Sequence, residues 1–116
     1  MKREYEIKGV KLEINMNNAD FVDRYNKAFT KMKEDATKLP KTGDASDIIK
    51  AYCKAFWDLF DNIFGNGTSY SMFSEVPDQE EAEEAYAELV GICRKQVTEA
   101  QNRRAAIVGG TFPLLK

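Results

Sequence analysis

The chain has 116 residues, of which 43% are hydrophobic, and a formal net charge of −2. Its pI is near 5.2. That length predicts one domain, 1–116, with a single hydrophobic core. The slight acidity argues against nucleic-acid binding, which needs a concentrated basic surface. There is no apolar run of the roughly 18 residues that a membrane span requires, so we expect no membrane association.

The N-terminal segment MKREYEIKGV is charged and lacks the apolar region and cleavage site of a secretion signal. We therefore expect an intracellular protein. Cys53 and Cys93 fall on apolar faces of predicted helices. In a reducing compartment such residues are expected to be buried free thiols, not a disulfide.

Residues 1–16 are predicted to form a β-hairpin. The segment EYEIKGVKLEIN alternates between apolar and polar residues on both sides of Lys8-Gly9. A two-residue loop there needs positive φ, which Gly9 supplies readily. The pairs that this loop predicts are Ile7 with Val10, Glu6 with Lys11, and Tyr5 with Leu12.

Two amphipathic helices are predicted next, over 18–38 and 45–64, because apolar residues recur at helical spacing. Pro40 disfavours helical geometry at Leu39 and so ends the first helix. The second helix is the most apolar and is placed at the centre of the core. The candidate N-caps are Asn17 or Asn18 for the first helix and Asp44 or Ser46 for the second.

A short turn with a small helix is predicted over 65–76, followed by a long helix over 78–108. Asp78 is expected to cap the long helix, with Glu81 as the partner in a capping box. The first half of this helix is acidic and the second half is basic, in the order that suits the helix dipole. Gly109-Gly110 is expected to end it, leaving 109–116 as an apolar tail. The predicted fold class is α+β, mostly α: an N-terminal β-hairpin packed on a bundle of about three helices plus a short helical turn.

Residue types needed for common catalytic sites are missing. The chain contains no histidine, which removes Ser-His and Cys-His nucleophile pairs and the usual zinc sites. Gly65-Asn66-Gly67 is not a P-loop, because neither the lysine nor a preceding strand is present. We therefore expect no enzymatic activity, no catalytic residues, no metal site and no cofactor.

The stretch IFGNGTSYSMF has a structural interpretation. Gly65 follows the last apolar residue of the second helix, where a left-handed glycine would stop it. Asn66-Gly67 favours further positive φ values, and Thr68 or Ser69 is a candidate cap for a short helix. The aromatic and apolar residues that follow are expected to fold back onto the core; they are Tyr70, Met72 and Phe73.

The same stretch resembles small proteins encoded in the tail modules of phages and prophages of Gram-positive bacteria, which are regarded as tail assembly chaperones or chaperone-like proteins. The shared feature is an amphipathic helix that ends in Asp-x-Ile-Phe-Gly-x-Gly-Thr, with a phenylalanine a few residues later. The matching positions are Asp61, Ile63, Phe64, Gly65, Gly67, Thr68 and Phe73.

The resemblance implies a non-enzymatic protein of the bacterial cytoplasm that binds a tail component such as the tape measure protein and keeps it soluble. Self-association is also implied. Such binding needs exposed apolar surface or a strand edge. The candidates are the outer edges of the hairpin and the side chains of Tyr70, Met72, Phe112, Leu114 and Leu115. The alternatives are a structural virion subunit, such as a tail-completion or connector protein, and a small phage regulator that binds a host protein.

Overall fold

A computed structural model describes residues 3–110 of the chain. The predicted class, α+β and mostly α, is confirmed, because an antiparallel hairpin packs on a helical bundle. In chain order the elements are β1 (Glu4–Ile7), β2 (Val10–Glu13), α1 (Ala19–Ala36), α2 (Ala45–Phe64), α3 (Thr68–Met72) and α4 (Gln79–Gly110).

The hairpin has the predicted register. The observed pairs include Ile7 with Val10, Glu6 with Lys11, and Tyr5 with Leu12. At the turn, Lys8 and Gly9 have φ values of 50° and 76°. Positive φ at both positions is what a two-residue turn between twisted strands requires, so Lys8 shares a conformation that the sequence had assigned to Gly9 alone. This register puts Ile7 and Leu12 on the face that is buried against the helices.

The first two helices begin at predicted caps. The Asn18 side chain accepts a hydrogen bond from the Phe21 backbone N–H at 3.0 Å, and Asp44 accepts one from Ser46 at 2.7 Å. The end of α1 comes earlier than the predicted residue 38. Its last backbone bonds, including the one from Leu39 to Ala36, span three residues instead of four and tighten the chain into a turn before the proline.

The core is centred on α2, as predicted. This helix packs along α1 and also contacts α3 and α4. Its inward-facing side chains are at most 5% exposed at Cys53, Phe56, Leu59, Phe60 and Ile63. Burying each large apolar side chain of this kind stabilises the fold by about 1.5–3 kcal/mol.

Gln96 of α4 is the buried polar side chain of the described residues, at 2% exposed. Its amide nitrogen donates to the Tyr5 hydroxyl at 3.0 Å and to the Ile14 carbonyl at 2.8 Å. Its amide oxygen accepts from the Met16 backbone N–H at 2.7 Å. By spacing alone, Gln96 is a polar residue on the apolar stripe of this helix. The structure shows instead that it joins α4 to the end of the hairpin.

The last turns of α4, which we call the overhang, are exposed, and Arg103 donates from there to the Asn17 side chain. Ala100 is the last buried residue of the helix, and residues 101–109 are all exposed. The glycine pair does not end the helix at 108, since α4 includes Gly110; glycine in a helix costs only about 1 kcal/mol relative to alanine. At about 1.5 Å per residue, this overhang is about 15 Å long. No helix within residues 3–110 is both long and apolar enough to cross a membrane.

Replacing Gln96 by leucine is expected to lower the free energy of unfolding by about 2–4 kcal/mol, because the Met16 N–H and the Ile14 carbonyl lose a buried partner. Urea unfolding followed by circular dichroism measures this. The matched control is Gln101→Leu, at an exposed position on the same helix, where we expect a change within about 0.5 kcal/mol. Equal effects of the two substitutions would contradict the role assigned to Gln96.

Candidate functional site

Residues 61–69, which we call the joint, connect α2 to α3. Gly65 has φ 115° and ψ 154°, and its N–H donates to the Asp61 carbonyl at 2.9 Å. The positive φ predicted for Gly65 is confirmed, but the left-handed helical conformation is wrong: the backbone is extended in a region essentially restricted to glycine. Gly67 is the left-handed residue, with φ 93° and ψ −10°. Asn66 does not have a positive φ.

The Asp61 carboxylate is the cap of α3. It accepts hydrogen bonds from the Ser69 backbone N–H at 2.8 Å and from the Ser69 hydroxyl at 2.9 Å. The predicted capping by Thr68 or Ser69 is therefore wrong. Thr68 is instead the first residue of α3, and its hydroxyl donates to the Gly65 carbonyl at 2.7 Å. A side chain from the preceding helix thus satisfies one of the orphan backbone donors, the Ser69 N–H, of a helix too short to be stable alone.

The joint directs three of the predicted side chains to different places. Phe73 packs back as predicted, with its ring centroid 5.8 Å from Phe60 and 6.2 Å from Trp57. Met72 is also buried in the core, so it offers no surface to a partner. Tyr70 does not pack back: it is 83% exposed. The reason is the helical turn itself, which points residues 70 and 72 in different directions.

An open cavity of about 420 Å³ lies beside Tyr70. Its lining includes three aromatic side chains, those of Trp57, Tyr70 and Phe73, which we call the aromatic patch. The loop that follows contributes Glu75 to the lining and carries Val76, which is 75% exposed. Helical spacing places Trp57 on the apolar face of α2, but its side chain is only partly buried. Spacing does not reveal this partial exposure, because it depends on where α3 ends.

The loop beside the aromatic patch is held by the start of α4. Asp78 caps that helix as predicted, accepting from the Glu81 N–H at 3.1 Å. The second half of the predicted capping box is wrong, because the Glu81 carboxylate accepts from the Ser74 N–H and hydroxyl, both at 2.9 Å. Glu81 therefore fixes the loop between α3 and α4 instead of its own helix end.

A second, wider groove of about 700 Å³ separates β2 from the joint. Ile14 donates its N–H to Arg3, so the alternation of an antiparallel pair turns the N–H and C=O groups of Lys11 and Glu13 away from β1. Both residues line the groove. The predicted outer edge of the hairpin therefore lies beside an open groove next to the joint.

Both cysteines are buried and free, as predicted. Burial raises the pKa of the Cys93 thiol to about 11. Burial also raises the pKa of Cys53, with a smaller contribution from the nearby Asp78 carboxylate. Thiols with raised pKa carry little thiolate at neutral pH and are poor nucleophiles. Within residues 3–110, no group of three or more His, Cys, Asp or Glu side chains is arranged to hold a metal ion.

The predicted site residues are thus partly brought together. Asp61, Phe64, Gly65, Gly67 and Thr68 all lie in the joint, and Phe64 also lines the groove. Phe73 lies outside the joint and belongs to the aromatic patch. The remaining candidates, Phe112, Leu114 and Leu115, lie outside the described residues.

The model of a family of unknown function (DUF6673) matches residues 8–109. The chain therefore belongs to this family. The match includes the second strand of the hairpin, the joint and nearly all of α4. No curated protein and no solved structure matches the chain.

Replacing Asp61 by alanine is expected to lower the free energy of unfolding by about 1–2 kcal/mol, because α3 loses its cap. Asp61→Asn should cost less, since an amide oxygen still accepts from Ser69. Fluorescence of Trp57, the single tryptophan, should shift to the red in the alanine variant as Phe73 loosens. In the control, Asp58→Ala breaks an exposed ion pair with Lys54 and should cost no more than about 0.5 kcal/mol.

Gly65→Val is expected to destabilise the fold by about 1–3 kcal/mol, because its φ of 115° is strained for any side chain. No atom lies within 4 Å of the added Cβ, so the effect is one of backbone conformation alone. Thermal unfolding measures it. Gly91→Ala, at an exposed helical position of α4, should instead stabilise the protein by about 0.5–1 kcal/mol. Unchanged stability of Gly65→Val would contradict this account of the joint.

Proposed function

We propose that this member of the DUF6673 family is a tail assembly chaperone-like protein of phages or prophages of Gram-positive bacteria. It acts in the bacterial cytoplasm without catalysis, binding a tail component such as the tape measure protein and keeping it soluble. The observation that carries the proposal is the position of Tyr70, exposed beside an open aromatic cavity. The stretch that resembles the chaperones is the one that places it there.

The aromatic patch suits reversible binding of an amphipathic segment. Trp57 and Phe73 stack with ring planes 22° apart and give the cavity an apolar wall. The Tyr70 ring adds contact area that costs little side-chain entropy when it is fixed. Helix-in-groove recognition places one or two large apolar side chains of the partner into such a cavity. A long helical tail component offers many segments of this kind.

The principal alternative is a structural virion subunit, such as a tail-completion or connector protein. The observation that favours it is the exposed end of α4, since a helical overhang of this length is suited to contact with a neighbouring subunit. A structural subunit would assemble irreversibly into a defined particle. A chaperone would release its partner when the tail polymerises.

Co-expression with the tape measure protein of the phage or prophage that would encode this chain tests the proposal. We expect the wild-type chain to raise the soluble yield of the tape measure protein and to co-elute with it on a sizing column. Tyr70→Ser should weaken the complex at least about tenfold, as for an aromatic hot spot. Tyr70→Phe keeps the ring and should bind like the wild type.

Two results would count against this function. One is an insoluble tape measure protein in the presence of the folded wild-type chain. The other is a defined, salt-resistant ring formed by the purified chain alone, which would favour the structural subunit. Gene order provides an independent check, because a chaperone gene is expected between the genes of the major tail protein and the tape measure protein.

A further inference from the structure

The charges of this chain are segregated along its sequence. Between Ala55 and Cys93 there is no lysine or arginine, and all 17 basic residues lie outside this segment. The acidic residues inside it are Asp58, Asp61, Glu75, Asp78, Glu80, Glu81, Glu83, Glu84 and Glu88. The small net charge of −2 is therefore the sum of a strongly acidic segment, between Ala55 and Cys93, and a basic rest of the chain.

The aromatic patch lies within the acidic segment. Glu75 is part of the cavity lining, and Asp78 and Glu80 are exposed at the start of α4, next to the same loop. The fold provides these residues with few cations: only Asp58 and Glu84 of the segment form ion pairs within the described residues. The patch is therefore an apolar surface with an unneutralised acidic margin.

The overhang of α4 is also apolar, but it carries positive charge where the aromatic patch carries negative charge. Arg104, Ile107 and Val108 are spaced three and four residues apart, so they lie on one face of the helix. Val108 is 61% exposed and Ile107 is 44% exposed. No ion pair within the described residues involves Arg104. The overhang is thus an apolar stripe with a cationic side chain one turn before Val108.

These two surfaces cannot meet within one molecule. The aromatic patch lies at the loop that leads into α4, and Val108 is near the other end of that helix. At about 1.5 Å per residue, the two ends are about 44 Å apart along a rigid helix. The exposed large apolar residues of the described chain, Tyr70, Val76, Ile107 and Val108, therefore form two separate groups.

From this complementarity we infer that the α4 overhang of one copy docks on the aromatic patch of a second copy. Val108 enters the cavity beside Tyr70, and Arg104 approaches the acidic margin at Glu75 and Asp78. The contact is head-to-tail, because each copy uses a different surface on each neighbour. Such contacts form open chains, or rings if the rotation closes.

The contact is expected to be weak. A helix end of about ten residues on a small cavity buries less than the roughly 1,200 Å² that marks the low end of stable interfaces. Association should therefore appear in the micromolar to millimolar range and respond to salt. The inference needs only surfaces of this chain, so it holds or fails independently of the tail component.

Sedimentation velocity on the purified chain tests the inference. The average mass is expected to rise with protein concentration at low salt. Raising NaCl from about 0.01 M to about 1 M shortens the screening length from about 30 to about 3 Å and should weaken association at least tenfold. Tyr70→Ser and Val108→Glu should each remain monomeric. Lys41→Glu, a charge reversal in the exposed loop before α2, should associate like the wild type.

Mixing the two monomeric variants gives the decisive result. Tyr70→Ser retains an intact overhang and Val108→Glu retains an intact patch, so one productive contact remains possible. The mixture should form a one-to-one dimer and nothing larger. A wild-type chain that stays monomeric at millimolar concentration, a mixture without dimer, or association that neither substitution reduces would each overturn the inference. Circular dichroism establishes that both variants are folded.

Discussion

The arrangement of the domain depends on one buried carboxamide. Gln96 binds the Tyr5 hydroxyl, the Ile14 carbonyl and the Met16 N–H. A two-stranded hairpin is marginal in water by itself, and its apolar face requires a fixed position on the helices. Gln96 supplies that position because a buried amide tolerates only the geometry that satisfies its hydrogen bonds. Apolar contacts alone would allow the hairpin to shift along α4, whereas the hydrogen bonds of Gln96 hold it at one position.

The hairpin and α4 are fixed relative to each other, and the joint then determines which side chains of α3 are exposed to solvent. Asp61 belongs to the core helix but accepts hydrogen bonds from the backbone N–H and the hydroxyl of Ser69, near the start of α3. This bond sets the direction of a helix of five residues. One side of that helix completes the core through Met72, and the other presents Tyr70 to solvent. The same carboxylate thus connects folding stability to the surface proposed for partner binding.

The two proposed contacts share the aromatic patch. A tail component bound in the cavity beside Tyr70 prevents the overhang of a neighbouring copy from binding there. A bound overhang likewise prevents the tail component from binding. Because an overhang contact is weak and a long helical partner offers many binding segments, the partner displaces self-association at comparable concentrations. Self-association would then protect the apolar patch until a partner is present.

Local sequence patterns were sufficient to predict most of the secondary structure elements. The three strand pairs predicted from the alternation around Lys8-Gly9 are all observed. Helical spacing correctly predicted α1, α2 and α4. Both patterns depend only on neighbours within a few residues of the chain. The positive φ of Gly65 was predicted on the same basis. The exposed Tyr70 was not, since a helix of five residues has no periodicity strong enough to identify its buried side.

The long-range polar contacts follow from the packed fold and not from any local sequence pattern. The sequence assigned Glu81 to a capping box, but Ser74 competes successfully for its carboxylate. Local spacing marks Gln96 only as a polar residue on an apolar stripe, because its hydrogen-bond partners lie about 80 residues away, as in the contact with Met16. Hydrogen-bond partners at that separation become neighbours only after the helices pack, so no local pattern encodes them. For the same reason, the exposed aromatic surface around Tyr70 could be identified only from the folded chain.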